Sequence, residues 1–361
     1  MQTPWGELGS LDISERGQAE AILCADKHQL LEGMVVECLF DQFLENLPSH
    51  LPGVLALDVE TVIAKPAKDS GRTIAVVWVR KKTDGLGRYL YALETRCQVF
   101  LVEYTSSEGF YGAEFAGGRR ISAVMPLDEL LRPVATTGHT PFHVSNSVRD
   151  ENRQSAPIWG FLFQHSKEKL VDNFILPRLL INCGVQPWFS RGVWNLDRIF
   201  IIDGEPWLFE VKHKFPFGKQ TYKFGLNVGE LDVIALLADC GVKTLHTIMV
   251  KPKWSKTIGS MYMLNDLRAR DRTAVIGQVI DRNMIARIRN RSSGFSKSDT
   301  TITGEEGSTV EYKPLFATEF GMFGVFSDKP AEIAGRIVDE IGGAWAPRLT
   351  AEELLALRLP V

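Results

Sequence analysis

Residues 194–214, WNLDRIFIIDGEPWLFEVKHK, bring two carboxylates and an ammonium to spacings that chemistry can use. Asp203-Gly204 between two apolar runs is a tight-turn signal, so the segment predicts a β-hairpin. With Ile202 paired to Trp207 across that turn, Asp197 stands opposite Lys212. Glu210, two residues before Lys212 on the same strand, shares its face. Such positions hold two carboxylates about 5–8 Å apart, close enough to share a divalent cation. A charged trio on a face that also carries Ile199, Ile201 and Leu208 costs free energy unless it binds something. Hydrolysis of a phosphodiester uses this set: acids that hold a metal, a water the metal activates, and a cation near the phosphate.

Asp, then a hairpin, then Glu-x-Lys resembles the signature of the PD-(D/E)XK nuclease superfamily, over roughly residues 160–255. That superfamily includes restriction endonucleases, repair and recombination nucleases, and antiviral defence effectors. The resemblance implies an α/β fold with a restriction-endonuclease-like core, α-β-β-β-α-β, whose mixed sheet is flanked by helices, beside an N-terminal α+β domain. It implies Asp197 and Glu210 as ligands of Mg²⁺, with Mn²⁺ as a substitute, and Lys212 as the group that orients or activates water. It implies a further acid from the preceding helix, Glu168, with Asp172 in reserve, and a polar residue near or on the following helix: Gln220, Asn227 or Glu230. Asn195-Leu196 stands where the namesake pattern has proline. The implied activity is a DNA endonuclease, in restriction or antiphage defence by analogy. The alternative is a catalytically inactive module of the same fold that binds nucleic acid or protein.

Elements must position these groups. A helix is expected at roughly 164–183, strands at 196–202 and 207–213, a helix at about 227–240 and a strand at 244–250. Upstream, residues 12–48 carry apolar side chains at helical spacing, with Ser14 as a cap. VLALDVETVIA, TIAVVWVRKK, YLYALET and QVFLVEY then read as strands of a small, mainly antiparallel region. Downstream, SSGFSKSDTTITGEEGST reads as a mobile loop, and PAEIAGRIVDEIGG and TAEELLALRL as helices. Thr350 and Glu353 have the spacing of a capping box. The expected division is an accessory domain at 1–150, the nuclease core at 151–256, and a basic extension at 257–361.

The chain of 361 residues has a net charge of −3, so any nucleic-acid contact must be local. Residues 251–297 hold eleven Lys and Arg against three Asp, a net of +8. That asymmetry suits a surface that follows phosphates. Arg268, Arg270, Arg287 and Arg289 are the candidates there, with Lys214, Lys219 and Lys223 in the loop after the second catalytic strand. A solvated basic face without a partner is the competing reading. Trp254 is more readily a buried tryptophan than a base-stacking one. Asp58-x-Glu60 resembles the first motif of DEDD-type exonucleases, but an ordinary strand face accounts for it as well. His213 alternates away from Lys212 and reads as a packed histidine. No Walker motif, G-x-S-x-G or H-E-x-x-H occurs. Five widely spaced cysteines fit reduced thiols. The opening residues lack a basic then apolar leader, and no stretch is long enough to span a bilayer. A cytoplasmic protein without membrane contact is expected, with assembly into a homo-oligomer or with a partner protein left open.

Overall fold

The computed structural model describes the chain except residues 27, 66–71, 136–137, 144–145, 190–191 and 298–308, and the side chains of 28, 29, 147, 148 and 297. The fold is mixed α/β and divides into two compact units. The first comprises 1–31, 55–206 and 239–242; the second comprises 32–54, 207–238 and 243–361. Neither unit is one continuous stretch of chain.

The first unit contains strands β1 (Leu55–Leu57), β2 (Val59–Ala64), β3 (Thr73–Val79), β4 (Cys97–Thr105), β5 (Gly109–Ala116), β6 (Val193–Leu196) and β7 (Arg198–Ile202). β6, β2, β3, β4 and β5 lie side by side in that order, and two-residue strands at Arg119–Arg120 and Met125–Pro126 pair with β5. β1 pairs antiparallel with β7. β3 and β4 are parallel, and parallel neighbours need a crossover. Residues of YLYALET, expected as a strand, supply it: they lie in the helix Leu86–Glu94, which buries Tyr89, Leu90 and Leu93. A short apolar run fits either period, and the topology decides between them.

The helix expected at 164–183 is a helical run over 167–185 that widens into π turns at Val171–Ile175 and Leu180–Val185. Pro177 lacks the N–H that a regular turn needs, which gives a reason for the widening before it. The N-cap of the first helix, Arg16–Cys24, is Glu15 rather than Ser14; its carboxylate accepts from the Gly17 and Gln18 amides.

The second unit carries β8 (Glu205–Lys214, whose first two residues count with the first unit), β9 (Lys223–Asn227), β10 (Lys243–Val250), β11 (Ala274–Val279), β12 (Gly294–Lys297), β13 (Thr309–Phe316) and β14 (Gly321–Val325). β8, β10, β11 and β14 are consecutive neighbours, with β8 parallel to β10 and the others antiparallel. The helix Val228–Asp239 lies between β8 and β10 in sequence. β9, β13 and β12 form a separate three-stranded sheet. Ile248, Val250, Ala274 and Ile276 pack with Leu231 and Ile234 of that helix, Ile285 and Ile288 of the helix Arg282–Arg289, and Phe224, Leu315 and Phe320. The helices Pro330–Ile341 and Ala351–Leu357 occur as expected, the second with the Thr350–Glu353 capping box. Most of the expected mobile loop lies outside the described residues. No described helix is long and apolar enough to cross a membrane.

Candidate active site

β8 is a strand buried along most of its length, and its register with β10 sets Glu210 beside His246 and Lys212 beside Ile248. On the other side of β10, His246 pairs with Gln278 of β11. Directly paired residues share a face. Three polar side chains therefore cross the sheet in one row, with Lys212 two residues further along the same face. The row is deeply buried: Glu210 is 5% exposed, His246 0% and Gln278 1%.

The helix Val228–Asp239 adds Glu230 from its first turn. One Glu230 oxygen lies 3.8 Å from Lys212 Nζ and 3.8 Å from His246 Nδ1. Lys212 also donates to Glu210, so its ammonium stands between two carboxylates. Lys212 retains 27% exposure and Glu230 16%, which leaves this end of the row open to solvent.

The electrostatics follow from burial. Burial pushes the Glu230 carboxyl up, but the Lys212 and Lys214 ammonium groups hold it below the usual range. Desolvation brings His246 down to about 3, so its ring is neutral at ordinary pH. Among the described residues neither ring nitrogen of His246, neither end of Gln278 and not Glu230 Oε1 has a hydrogen-bond partner. The great majority of buried polar atoms in proteins are paired, so orphans clustered on one face mark a place that can receive the polar atoms of a ligand.

Asp197 lies between β6 and β7 in the first unit, where its main-chain carbonyl accepts from Arg198 Nη1 at 3.0 Å. The hairpin turn is tighter than expected. Asp203 and Gly204 both have positive φ, 52° and 81°, the two-residue turn that suits twisted strands. Ile202 thus stands opposite Glu205 rather than Trp207. Pro206 is tolerated because the ladder with β10 starts at Trp207.

Glu168 is exposed on the short helix Lys167–Leu170, and Asp172 is half-buried, both in the first unit. Gln220 is exposed in the loop before β9. Asn227 caps the helix after β9 by accepting from the Gly229 amide at 2.8 Å. Of the three polar residues expected near that helix, Glu230 is the one beside Lys212.

His246 and Gln278 were not among the sequence candidates. Their signal was present: each is a large polar residue inside an apolar run, TLHTIMV and AVIGQVI.

The basic candidates divide by environment. Lys214 donates to the Gly225 carbonyl at 2.6 Å, and burial lowers its pKa. Lys223 lies 5.3 Å from the centroid of the Phe316 ring. Arg270 is half-buried, with its guanidinium 5.5 Å from the centroid of Phe326. Lys219, Arg268, Arg287 and Arg289 are exposed, Arg289 with its Nη2 3.4 Å from Asp232. Elsewhere in the basic stretch, Lys253 pairs with Asp266 at 3.0 Å, Arg291 pairs with Glu319, and Lys251 donates to the Ile258 carbonyl at 2.8 Å. Part of the +8 is therefore engaged in holding the unit together. Trp254 is half-buried and packs on Tyr222 at 5.1 Å.

His213 is a packed histidine. Its ring nitrogens meet Ser260 Oγ and Tyr262 Oη, each at 2.7 Å. Burial, helped by the Lys251 ammonium, holds it well below its ordinary pKa of 6.5. Unfolding restores the ordinary value. Below pH 6.5 the unfolded chain therefore binds a proton that the folded chain does not, and stability falls by at most about 1.4 kcal/mol per pH unit. Urea midpoints at pH 7 and pH 5.5 are expected to differ more in the wild type than in His213→Gln. Equal differences in the two proteins would contradict this.

Among the described residues no three His, Cys, Asp or Glu side chains converge as a ready-made metal cage. No protein-family model, curated protein or solved structure matches the chain.

Proposed function

We propose that this chain is a Mg²⁺-dependent nuclease that hydrolyses phosphodiester bonds in DNA. One observation carries the reading: Lys212 stands between Glu210 and Glu230 at the solvent end of a buried row in which His246 and Gln278 have no hydrogen-bond partner among the described residues. Further support comes from the parallel β8–β10 pair with a helix between its strands, an order compatible with a restriction-endonuclease-like core.

The donor set fits the metal. Mg²⁺ prefers oxygen ligands and commonly takes one or two carboxylates, completing its shell with water and substrate phosphate. Glu210 and Glu230 are two such carboxylates, and one Glu230 oxygen is buried without a hydrogen-bond partner among the described residues. A complete protein cage is therefore not required. When bound, the metal lowers the pKa of a water and neutralises charge on phosphate. The chain's own groups do the rest. Glu210 and Glu230 hold the cation site, and Lys212 positions the attacking water and balances the charge that grows on the phosphate oxygens. The sequence pattern adds Asp197 as a ligand and Glu168 as a helper; both assignments, like a role in restriction or antiphage defence, rest on the resemblance alone. Asp197→Ala tests the first, and loss of cleavage with the fold intact is its expected result.

Exposed Arg287 and Arg289 on the helix Arg282–Arg289 are suited to bind phosphates. Replacing both with alanine is expected to weaken binding to all sequences alike. The slope of log affinity against log salt should become shallower by about one for each phosphate that no longer meets an arginine. An unchanged slope in a filter-binding series would remove these two residues from the interface.

The activity itself is tested with purified protein on supercoiled plasmid, linear duplex, single-stranded DNA and RNA, in Mg²⁺ or in EDTA. Cleavage of DNA in Mg²⁺ and none in EDTA is the expected result. Binding without cleavage of any substrate would replace the nuclease with the inactive module.

A further inference from the structure

The first unit has a cleft of about 390 Å³ whose lining includes Arg80, Lys82, Glu103, Tyr104, Tyr111 and Asp172. Its place follows from the topology. β3 and β4 are the parallel pair of their sheet, joined through the helix Leu86–Glu94. Arg80 and Lys82 follow the carboxyl end of β3, Glu103 and Tyr104 lie at the carboxyl end of β4, and Tyr111 pairs with Glu103 from β5. Carboxyl ends of parallel strands are where α/β sheets commonly bind small ligands.

The wall is built around Arg80. Its Nη2 donates to Glu60 at 2.8 Å, its Nε donates to the Asp172 carbonyl at 3.2 Å, and its guanidinium lies 4.9 Å from the centroid of the buried Trp78 ring. Asp58 lies 3.5 Å from the same Nε. Asp58 and Glu60 therefore serve as anchors for an arginine, which accounts for the Asp-x-Glu motif without an exonuclease site. Arg80 Nη1 is buried and has no hydrogen-bond partner among the described residues. Lys82 is the exposed cation, with 78% of its side chain in solvent and its ammonium 3.8 Å from Glu103. Burial raises the pKa of the Asp172 carboxyl.

Glu103 already accepts from Arg120 at 2.5 Å, so the lining asks three things of an occupant: a flat ring for the tyrosines, N–H donors for Asp172, and an anionic group for Arg80 Nη1 and Lys82. We propose that the cleft binds a nucleotide, a nitrogenous base carrying phosphate, either free or as one residue of a strand. The volume lies within the range of small-ligand sites, and aromatic stacking accepts any base. This inference is independent of the nuclease reading.

Calorimetric titration of the full chain in EDTA tests it, with AMP, GMP, CMP and UMP in one arm and a short single-stranded oligonucleotide in the other. Saturable binding is expected in at least one arm, weakened about tenfold in Tyr111→Ala and clearly weakened in Lys82→Ala. Lys82 is exposed, so its replacement does not endanger the fold. Binding of the mononucleotides identifies a free ligand; binding of the oligonucleotide alone identifies a residue of a strand. No saturable binding in either arm, or binding indifferent to both substitutions, overturns the proposal. Because EDTA prevents metal-dependent cleavage, the result stands whether or not the chain proves to be a nuclease.

Discussion

Replacing Lys212 with methionine is expected to slow Mg²⁺-dependent cleavage by about 10²–10³-fold, the usual cost of losing one preorganised group that stabilises transition-state charge. The ammonium stands between Glu210 and Glu230, where no other described cation replaces it: Lys214, two residues on, donates to the Gly225 carbonyl. The substitution also has a structural consequence, because Glu210 is buried and loses the ammonium beside it. Removing one member of a buried pair is destabilising, though the partial exposure of Lys212 reduces the penalty. Lys212→Arg separates the two effects. It keeps the charge and hence the fold, but a planar guanidinium does not reproduce a point ammonium at the same position. A thermal midpoint near the wild-type value with cleavage still strongly impaired is the expected pair of results for arginine. Wild-type cleavage by Lys212→Met would remove the lysine from the chemistry.

Gln278→Met is expected to stabilise the fold by about 1–3 kcal/mol, the penalty of a buried polar group without partners, and to reduce cleavage. Both ends of the Gln278 amide are buried and have no hydrogen-bond partner among the described residues. Methionine has similar volume and fills irregular space without asking for a hydrogen bond. A group whose removal strengthens the fold yet weakens activity is kept for the site rather than for stability. Urea unfolding measures the first effect and initial cleavage rates the second. A destabilised variant would mean that the amide is satisfied by ordered water and belongs to the core.

Much of the stretch from residue 198 to 214 could be read from sequence because its signals are local. Asp203-Gly204 announced a turn, the apolar runs on either side announced strands, and Glu-x-Lys fell on the strand where it was expected. The turn is tighter than expected because Asp203 takes a positive φ as Gly204 does, which allows a two-residue turn. The helix Leu86–Glu94 differs because its aromatic residues favour strands when taken alone; only the parallel β3–β4 pair requires a crossover there. The polar row was legible only in part. Glu210, Lys212 and Glu230 were nameable from a pattern, but His246 and Gln278 join them through strand pairing between residues far apart in sequence. Composition likewise showed a basic stretch, while its division into surface arginines and cations bound within the unit depends on partners such as Asp266 and Glu319.

The central claim is that Glu210 serves a metal-dependent cut. The most direct measurement is the rate of plasmid nicking by wild type and by Glu210→Gln, in Mg²⁺ and in Mn²⁺, with thermal unfolding of both proteins as the control. Nicking by the wild type in either metal, and none by a folded Glu210→Gln, is the predicted result. Equal nicking by the two proteins, or none by the wild type in either metal, would contradict it.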